Sequence, residues 1–250
     1  MRYLPVLVLL LTLLVTPAAV YSQEIKSEVG MGITMKEYTE IETQLEQGMP
    51  LILEKIKGTG ELVKKGQYEE GRAFLKKAIE EARAEEKIFS KESHYKEISE
   101  YVDKMEDALT RADQAMEKRQ KQAAMTQLKR AYNMTKVIAK SPVLKMVAAE
   151  IALGQASRMI GQRNYSSAGI FLQRAIDNIT TVQQDPKLNT DDLKKLKNDI
   201  IITQNQVVLG QMKDEKRLKS FYPGLAAARA NTLNTYYSIW DRNNEPWMMY

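Results

Sequence analysis

Few side chains in this 250-residue chain have the chemistry of a catalytic or metal-binding residue. His94 is the only histidine, and the chain has no cysteine. Iron–sulfur clusters, covalently attached haem and zinc sites built from Cys and His are therefore excluded. His94 stands between Ser93 and Tyr95 at the start of a charged segment, which is more typical of a solvent-facing residue than of a general base.

Two further patterns resemble chemical sites but lack their context. Ser93 and Lys96 have the Ser-x-x-Lys spacing that places a nucleophile beside its base in penicillin-binding enzymes, which also need two other motifs and a mixed α/β fold. Thirteen methionines could suggest a copper site. They are dispersed over separate predicted helices, which favours core filling. We therefore predict that the protein is not an enzyme and binds no cofactor or metal.

The charge distribution argues against a nucleic-acid partner. The formal net charge is +5, from 37 basic and 32 acidic side chains, and the pI is about 9.1. Acidic and basic residues alternate, as in Glu80–Lys87, whereas a nucleic-acid surface concentrates basic residues on one face. The charges are typical of solvated helices in a globular protein with 44% apolar residues.

The first 22 residues have the organisation of a cleavable signal peptide. Arg2 precedes an apolar run, Leu4–Val15, which is too short to span a membrane comfortably and ends in helix-breaking and small residues. Cleavage after Ser22 would make Gln23 the first mature residue. The sequence thus predicts a periplasmic or secreted protein without an integral membrane span after processing.

The remainder of the chain has the apolar spacing of helices. We predict a flexible mature N-terminus over 23–33 and a single all-α domain over 34–243. The stretch Ile200–Leu209 is β-branched, but its length and charged flanks favour a buried helix over a strand. Helix breaks are predicted at Gly58–Gly60, Gly66-Gln67, Asp185-Pro186 and Pro223-Gly224.

One pattern of glycine, tyrosine, leucine and alanine is repeated along the chain. Its members are Gly66, Tyr68, Leu75 and Ala78 in the first copy and Gly161, Tyr165, Leu172 and Ala175 in the last. A weaker middle copy contains Ala124, Leu128 and Ala131. An amphipathic segment precedes each copy: Leu51–Lys65, Tyr101–Arg119 and Val143–Arg163.

We interpret each copy as a helix–turn–helix hairpin like that of a tetratricopeptide unit. The alanines let two helices approach, Leu75 and Leu172 fill the seam between them, and the tyrosines close the turn. Regular arrays keep a period of about 34 residues, but the three copies are unequally and more widely spaced. We therefore predict hairpins packed into one bundle-like domain with an extra C-terminal helical segment, and no regular superhelix.

The segments Gly66–Ala78 and Gly161–Ala175 resemble the YfdX family of small exported bacterial helical proteins. The resemblance covers roughly residues 48–180 and ends near Pro186, where an additional helix and an aromatic tail follow. It implies a periplasmic protein without enzymatic activity that is loosely linked to stress responses. It implies no particular functional residue.

Seven of the eighteen aromatic side chains, including both tryptophans, lie in the last thirty residues. We expect Tyr236, Tyr237 and Trp240 to dock a last helix, about Leu225–Arg242, onto the hairpins. The tail 244–250 is expected to be disordered, with Trp247 as an exposed binding contact.

Two functions remain open from the sequence. The first is a non-enzymatic binding or scaffold protein of the bacterial cell envelope, with a protein or peptide partner. The alternative is a carrier or sensor that holds an apolar or anionic small molecule between helices.

Overall fold

The computed structural model describes residues 35–89, 95–212, 216–242 and 246–248. The regular elements in these ranges are all helical, in agreement with the all-α prediction. In chain order they are α1 (Met35–Lys64), α2 (Tyr68–Phe89), α3 (Lys96–Glu117), α4 (Lys121–Lys140), α5 (Val143–Gly161), α6 (Tyr165–Gln183), α7 (Asp191–Val208), α8 (Lys216–Lys219), α9 (Tyr222–Arg242) and a 3-10 helix (Pro246–Met248). The predicted signal peptide, the mature N-terminus and His94 lie outside the described residues.

Three helical hairpins, α1–α2, α3–α4 and α5–α6, share one turn geometry. In each turn, the residue two positions after the end of the first helix has a positive φ: Gly66 (76°), Arg119 (53°) and Arg163 (59°). Its N–H bonds to the carbonyl three residues earlier, and the next N–H bonds to the carbonyl five residues earlier, which is a Schellman motif. The repeated sequence pattern therefore corresponds to a repeated backbone structure.

The first two hairpins close into a four-helix bundle. Helix α1 packs against α2 and α4, and α3 packs against the other sides of α2 and α4. Apolar residues at i, i+3 and i+4 spacing fill the interior; fully buried examples are Ile52, Ile56, Leu75, Ile98, Val102, Leu109 and Leu128. Since α4 returns to α1, these hairpins do not continue into a superhelix.

The third hairpin begins a separate row of helices, α5, α6 and α7, in which each helix packs on the next. Helix α9 joins the row to the bundle, since it packs against α4, α5 and α7. Helix α5 is covered by α6, α8, α9 and α1. This position explains why α5 is apolar on nearly all sides instead of amphipathic.

The helix break predicted at Gly58–Gly60 is wrong, because α1 continues to Lys64. Both glycines are sites of close packing. A Cβ on Gly58 would lie 2.5 Å from the Phe74 ring, and one on Gly60 would lie 2.5 Å from the Trp247 ring. Close approach of a ring explains glycine at both positions without a break in the helix.

The predicted breaks nearer the C-terminus agree more closely with the structure. Helix α6 ends at Gln183, just before Asp185-Pro186, and Ile200–Leu209 belongs mostly to α7. Helix α9 begins at Tyr222, so Pro223 lies in its first turn, where a missing N–H costs no helical hydrogen bond.

Candidate functional site

The residues singled out by the repeat lie inside the hairpins. The side chains of Leu75, Ala78, Leu172 and Ala175 are fully buried. Tyr68 and Tyr165 are partly buried and pack against the core at the start of α2 and α6. The four fully buried residues hold the helices together and offer no surface to a ligand.

The turn of the third hairpin differs from the one drawn from sequence. Gly161 is the last residue of α5, and the residue with a positive φ is Arg163. Arg119 has the same role in the middle hairpin. Two of the three turns therefore have arginine in a backbone conformation that favours glycine.

The turns of the bundle border a shallow cavity of about 280 Å³. It is lined by Gly66, Gln67, Tyr68, Glu69, Glu70 and Arg119. The lining is polar and carries charges of both signs, and the cavity lies beside the turns and not between helices. The cavity is therefore better suited to a small polar ligand than to an apolar one.

The expectation that Trp247 is an exposed contact is wrong. Its side chain is only 3% exposed. The ring makes an edge-on contact with Tyr132, with centroids 5.1 Å apart, and lies against Gly60 of α1. Pro246–Met248 form a 3-10 helix that packs on α1, so these three residues of the tail are ordered parts of the core. The other tail residues lie outside the described ranges.

The aromatic residues of α9 dock onto its neighbours, as expected. Tyr237 makes an edge-on contact with Tyr101, with centroids 6.3 Å apart. The Tyr101 hydroxyl donates to the Leu233 carbonyl at 3.1 Å, and burial raises the pKa of Tyr101 to about 12. The Lys136 ammonium lies 3.9 Å from the centre of the Trp240 ring. These contacts attach α9 to the bundle.

A buried ionic network that the sequence did not reveal joins α3, α5 and α9. Arg229 is only 2% exposed, its Nε donates to Glu97 Oε2 at 2.8 Å, and its Nη1 donates to the Glu150 carboxylate. Burial, with the Glu150 charge as a smaller cause, raises the pKa of Tyr222 to about 12. Because Arg229 is enclosed, the network fixes α9 in place and is not accessible to a substrate.

A sequence signal for this network existed, although its pairing could not be read. Glu150 is the single charged residue between Val147 and Leu153, and Arg229 follows Ala226–Ala228. A charged residue inside an apolar or alanine-rich helical segment is a candidate for a buried ion pair. The paired residues are far apart along the chain, so only the folded structure shows that Arg229 pairs with Glu97 and Glu150.

Glu85 is a second buried carboxyl, on α2 of the bundle. It faces Gly48 of α1, and its Oε2 has no hydrogen-bond partner among the described residues. Burial, with a smaller effect of Glu81, raises the pKa of Glu85 to about 7. At neutral pH this carboxyl is therefore partly protonated. Its charge changes with pH in this range, whereas an exposed glutamate stays ionised.

An exposed apolar surface on α6 and α7 is the best candidate for a functional site. Among the described residues, the large apolar side chains with high exposure all lie there: Ile170 (43%), Ile202 (51%), Val208 (61%) and Leu209 (68%). We call these four residues the α6–α7 apolar surface. The Gln204 amide donates to the Gly169 carbonyl at 3.0 Å, which fixes the end of α7 beside the beginning of α6.

Helix α7 ends like the first helix of a hairpin but has no hairpin partner in the described chain. Gly210 has a φ of 67°, its N–H bonds to the Val207 carbonyl at 2.9 Å, and the Gln211 N–H bonds to the Gln206 carbonyl at 2.8 Å. This is the Schellman turn of the three hairpins. The next described helix, α8, packs on α5 instead of returning along α7. One face of α7 is consequently left uncovered by that helix.

Two other properties of the described residues bear on function. None of their helices combines the length and apolar composition needed to cross a bilayer. Within the same ranges, no three His, Cys, Asp or Glu side chains come together as a group that could hold a metal ion.

Comparison with known proteins does not assign the chain to a family. No family model matches the chain, and neither the curated proteins nor the solved structures contain a match.

Proposed function

We propose that this chain is a non-enzymatic binding or scaffold protein of the bacterial cell envelope and that it acts through the α6–α7 apolar surface. The observation that carries the proposal is the position of its exposed large aliphatic residues. In the described chain they are not scattered but lie on two adjacent helices. Apolar residues clustered in this way are characteristic of protein-binding surfaces.

The buried charged groups support a structural role for the rest of the domain. Arg229 with its two carboxylates holds three helices together, and Glu85 lies between α1 and α2. A protein partner that covers apolar surface is a better match to this arrangement than a reaction.

The envelope location is part of the proposal and rests on the sequence. Residues 1–22 have the pattern of an export signal. The resemblance to the YfdX family points to the same compartment, and we propose a distant relationship to that family.

The alternative, a small-ligand carrier, is favoured by one observation. The cavity beside Gly66 and Arg119 is large enough for a small polar molecule. Its lining carries two carboxylates, Glu69 and Glu70, and one cation, Arg119, so it suits a polar ligand that is not an anion better than the apolar ligand of a site between helices.

The proposed function can be tested with surface variants. Ile202→Asp and Leu209→Asp place charges on the α6–α7 apolar surface, whereas Ala84→Asp places the same charge on an exposed position of α2. Immobilised protein is incubated with an envelope extract from cells that produce this chain, so that a second copy and any other partner can be retained. We expect the wild type and Ala84→Asp to retain the same protein and both surface variants to lose it.

Circular dichroism of all three variants provides the control for folding. Equal helicity shows that a loss of binding comes from the surface. If the Ile202 and Leu209 variants retain partners as the wild type does, the α6–α7 apolar surface is not the binding site and the proposal fails.

A further inference from the structure

We infer that the partner of the α6–α7 apolar surface is a second copy of this chain, bound so that its α7 runs antiparallel to the first. This inference rests on the proposed function, because it names the occupant of the same surface. It is argued from the order of residues along the exposed face of α7.

The exposed face of α7 has the spacing of a helix-pairing seam. Its residues are separated alternately by four and three positions, and all of them are exposed: Asp191, Lys195, Asn198, Ile202, Asn205 and Leu209. A repeat of this kind keeps one stripe of residues facing a neighbouring helix. The buried face of α7, with Ile200 and Val207, is already used within the chain.

The seam is self-complementary about Ile202. A two-fold axis at this residue places Ile202 against its own equivalent and brings Lys195 beside Leu209 of the partner subunit. The methylene groups of Lys195 can then cover that leucine. Asn198 and Asn205 lie near amide side chains from the other copy, with which they can exchange hydrogen bonds.

Electrostatics favours the antiparallel over the parallel arrangement. In a parallel pair, Lys195 would face Lys195 of the partner subunit, and the acidic beginnings of the two helices would also meet. In the antiparallel pair, Lys195 reaches the C-terminal end of the other α7, where the helix dipole is negative. The same arrangement separates the two Asp191 residues by about 33 Å along the helix axis, which is more than the length of one α7.

The hairpins explain why a helix from another copy fits here. In each of them a Schellman turn leads to an antiparallel neighbour, and α7 has such a turn at Gly210. Its own chain continues to α8, which packs on α5. The α7 of a second copy would supply the antiparallel neighbour that the helix after Gly210 does not provide.

The size of the surface determines the expected strength of association. An 18-residue helix is about 27 Å long. One helix face of this length falls short of the roughly 800 Å² per partner of a standard stable interface. We therefore expect reversible association at micromolar concentrations and not a permanent dimer.

Molar mass as a function of concentration tests the association. The purified protein is measured by sedimentation between about 1 and about 300 µM. We expect the wild type and Ala84→Asp to pass from monomer to dimer over this range, and Ile202→Asp to remain monomeric. A wild type that stays monomeric throughout, or an Ile202→Asp variant that dimerises equally well, would overturn the inference.

Cross-linking tests the orientation, because the chain has no cysteine of its own. Under mild oxidation, Ile202→Cys should form a disulfide-linked dimer. Lys195→Cys mixed with Leu209→Cys should cross-link several-fold more than either variant alone. If each of the latter two instead links mainly to itself, the helices are parallel and the antiparallel inference is wrong.

The two proposals fail in different ways. A monomeric wild type whose capture of an envelope protein is abolished by Ile202→Asp keeps the proposed function and removes the self-association. A monomeric wild type whose capture is unaffected removes both.

Discussion

The four-helix bundle and the α5–α7 row use the same hairpin but treat its outer surface differently. In the bundle, α1 and α4 meet and close a ring, so each helix has a neighbour on both sides. In the row, α6 follows α5 and α7 follows α6, and the row ends at α7. The comparison shows that the repeated sequence determines the hairpin. Whether the helices then close into a ring determines where apolar residues remain exposed.

In the bundle, the packing of α1 on α4 covers the outer helices. In the row, α9 covers the helices on one side only. It packs on α5 and α7 and is fixed by Arg229. The exposed residues Ile202 and Leu209 lie on a face of α7 that remains accessible. This partial cover makes the end of the row the natural place for binding.

The largest expected effect comes from removing the connection between the two regions. Arg229→Ala leaves the buried Glu150 and the partly buried Glu97 without their cation, and should lower the free energy of unfolding by about 3–5 kcal/mol. Urea unfolding measures the change. The control Arg111→Ala breaks an exposed pair with Asp107 and should cost less than about 1 kcal/mol. Equal effects of the two variants would mean that the buried network does not hold α9.

A second pair of variants compares the same repeat position in the two regions. Leu75 in the bundle and Leu172 in the row are both fully buried. We expect Leu75→Ala and Leu172→Ala each to lower the free energy of unfolding by about 2–5 kcal/mol, because each leaves a cavity at a hairpin seam. Urea unfolding at one pH is sufficient. A near-neutral Leu172→Ala would show that the row is loosely packed.

The pH dependence of stability should distinguish the bundle through Glu85. Its pKa is about 7 in the folded protein against 4.5 for an ordinary glutamate, so the folded state holds this proton more tightly. Its contribution to stability is therefore complete below pH 4.5 and is lost as the pH rises to about 7. By this linkage the loss is at most about 3 kcal/mol, because solvent screening reduces it.

The substitution Glu85→Gln isolates this contribution. The variant should gain stability relative to the wild type between pH 4.5 and pH 8, as measured by urea unfolding at both values, because the amide stays uncharged. Other acids titrate equally in both proteins and cancel from the difference. A difference that is the same at both pH values would show that Glu85 is solvated.

The smallest effects are expected at the turns. Gly66 has a φ of 76°, and a Cβ there would have no atom within 4 Å, so Gly66→Ala should cost about 1 kcal/mol through backbone strain alone. Arg163 has a φ of 59° and already bears that strain. Arg163→Gly should therefore leave stability unchanged or raise it by up to about 1 kcal/mol. Thermal unfolding measures both, and a loss at Arg163→Gly equal to that at Gly66→Ala would contradict the shared geometry.

The hairpins could be predicted from the sequence because their cause is local. A small residue, a leucine and an alanine at helical spacing recur after each turn, and this order is present in the chain itself. The closure of α4 on α1 could not be predicted in this way. It depends on contacts between helices that are distant in sequence.

The errors have the same origin. Gly58 and Gly60 resemble a helix break, but their reason is contact with Phe74 and Trp247. Trp247 resembles an exposed tail residue because Pro246 precedes it, yet the chain folds back onto Tyr132. In both cases the local sequence suggests a local structure, but a contact between distant parts of the chain determines the residue.

The sequence of α7 contains a signal for the candidate surface. Ile202 and Leu209 are seven residues apart in α7, outside the positions that its own chain buries. Apolar residues on two sides of one helix indicate two neighbours. One of these neighbours is in the chain, and we propose that the other is a second copy.

Amide hydrogen exchange at low and high protein concentration tests the contrast between the closed bundle and the open row most directly. Exchange reports local opening at each helix. We predict that the amides of α7 become several-fold better protected as the concentration rises through the micromolar range, while those of α1–α4 do not change. Protection of α7 that is independent of concentration would contradict the account.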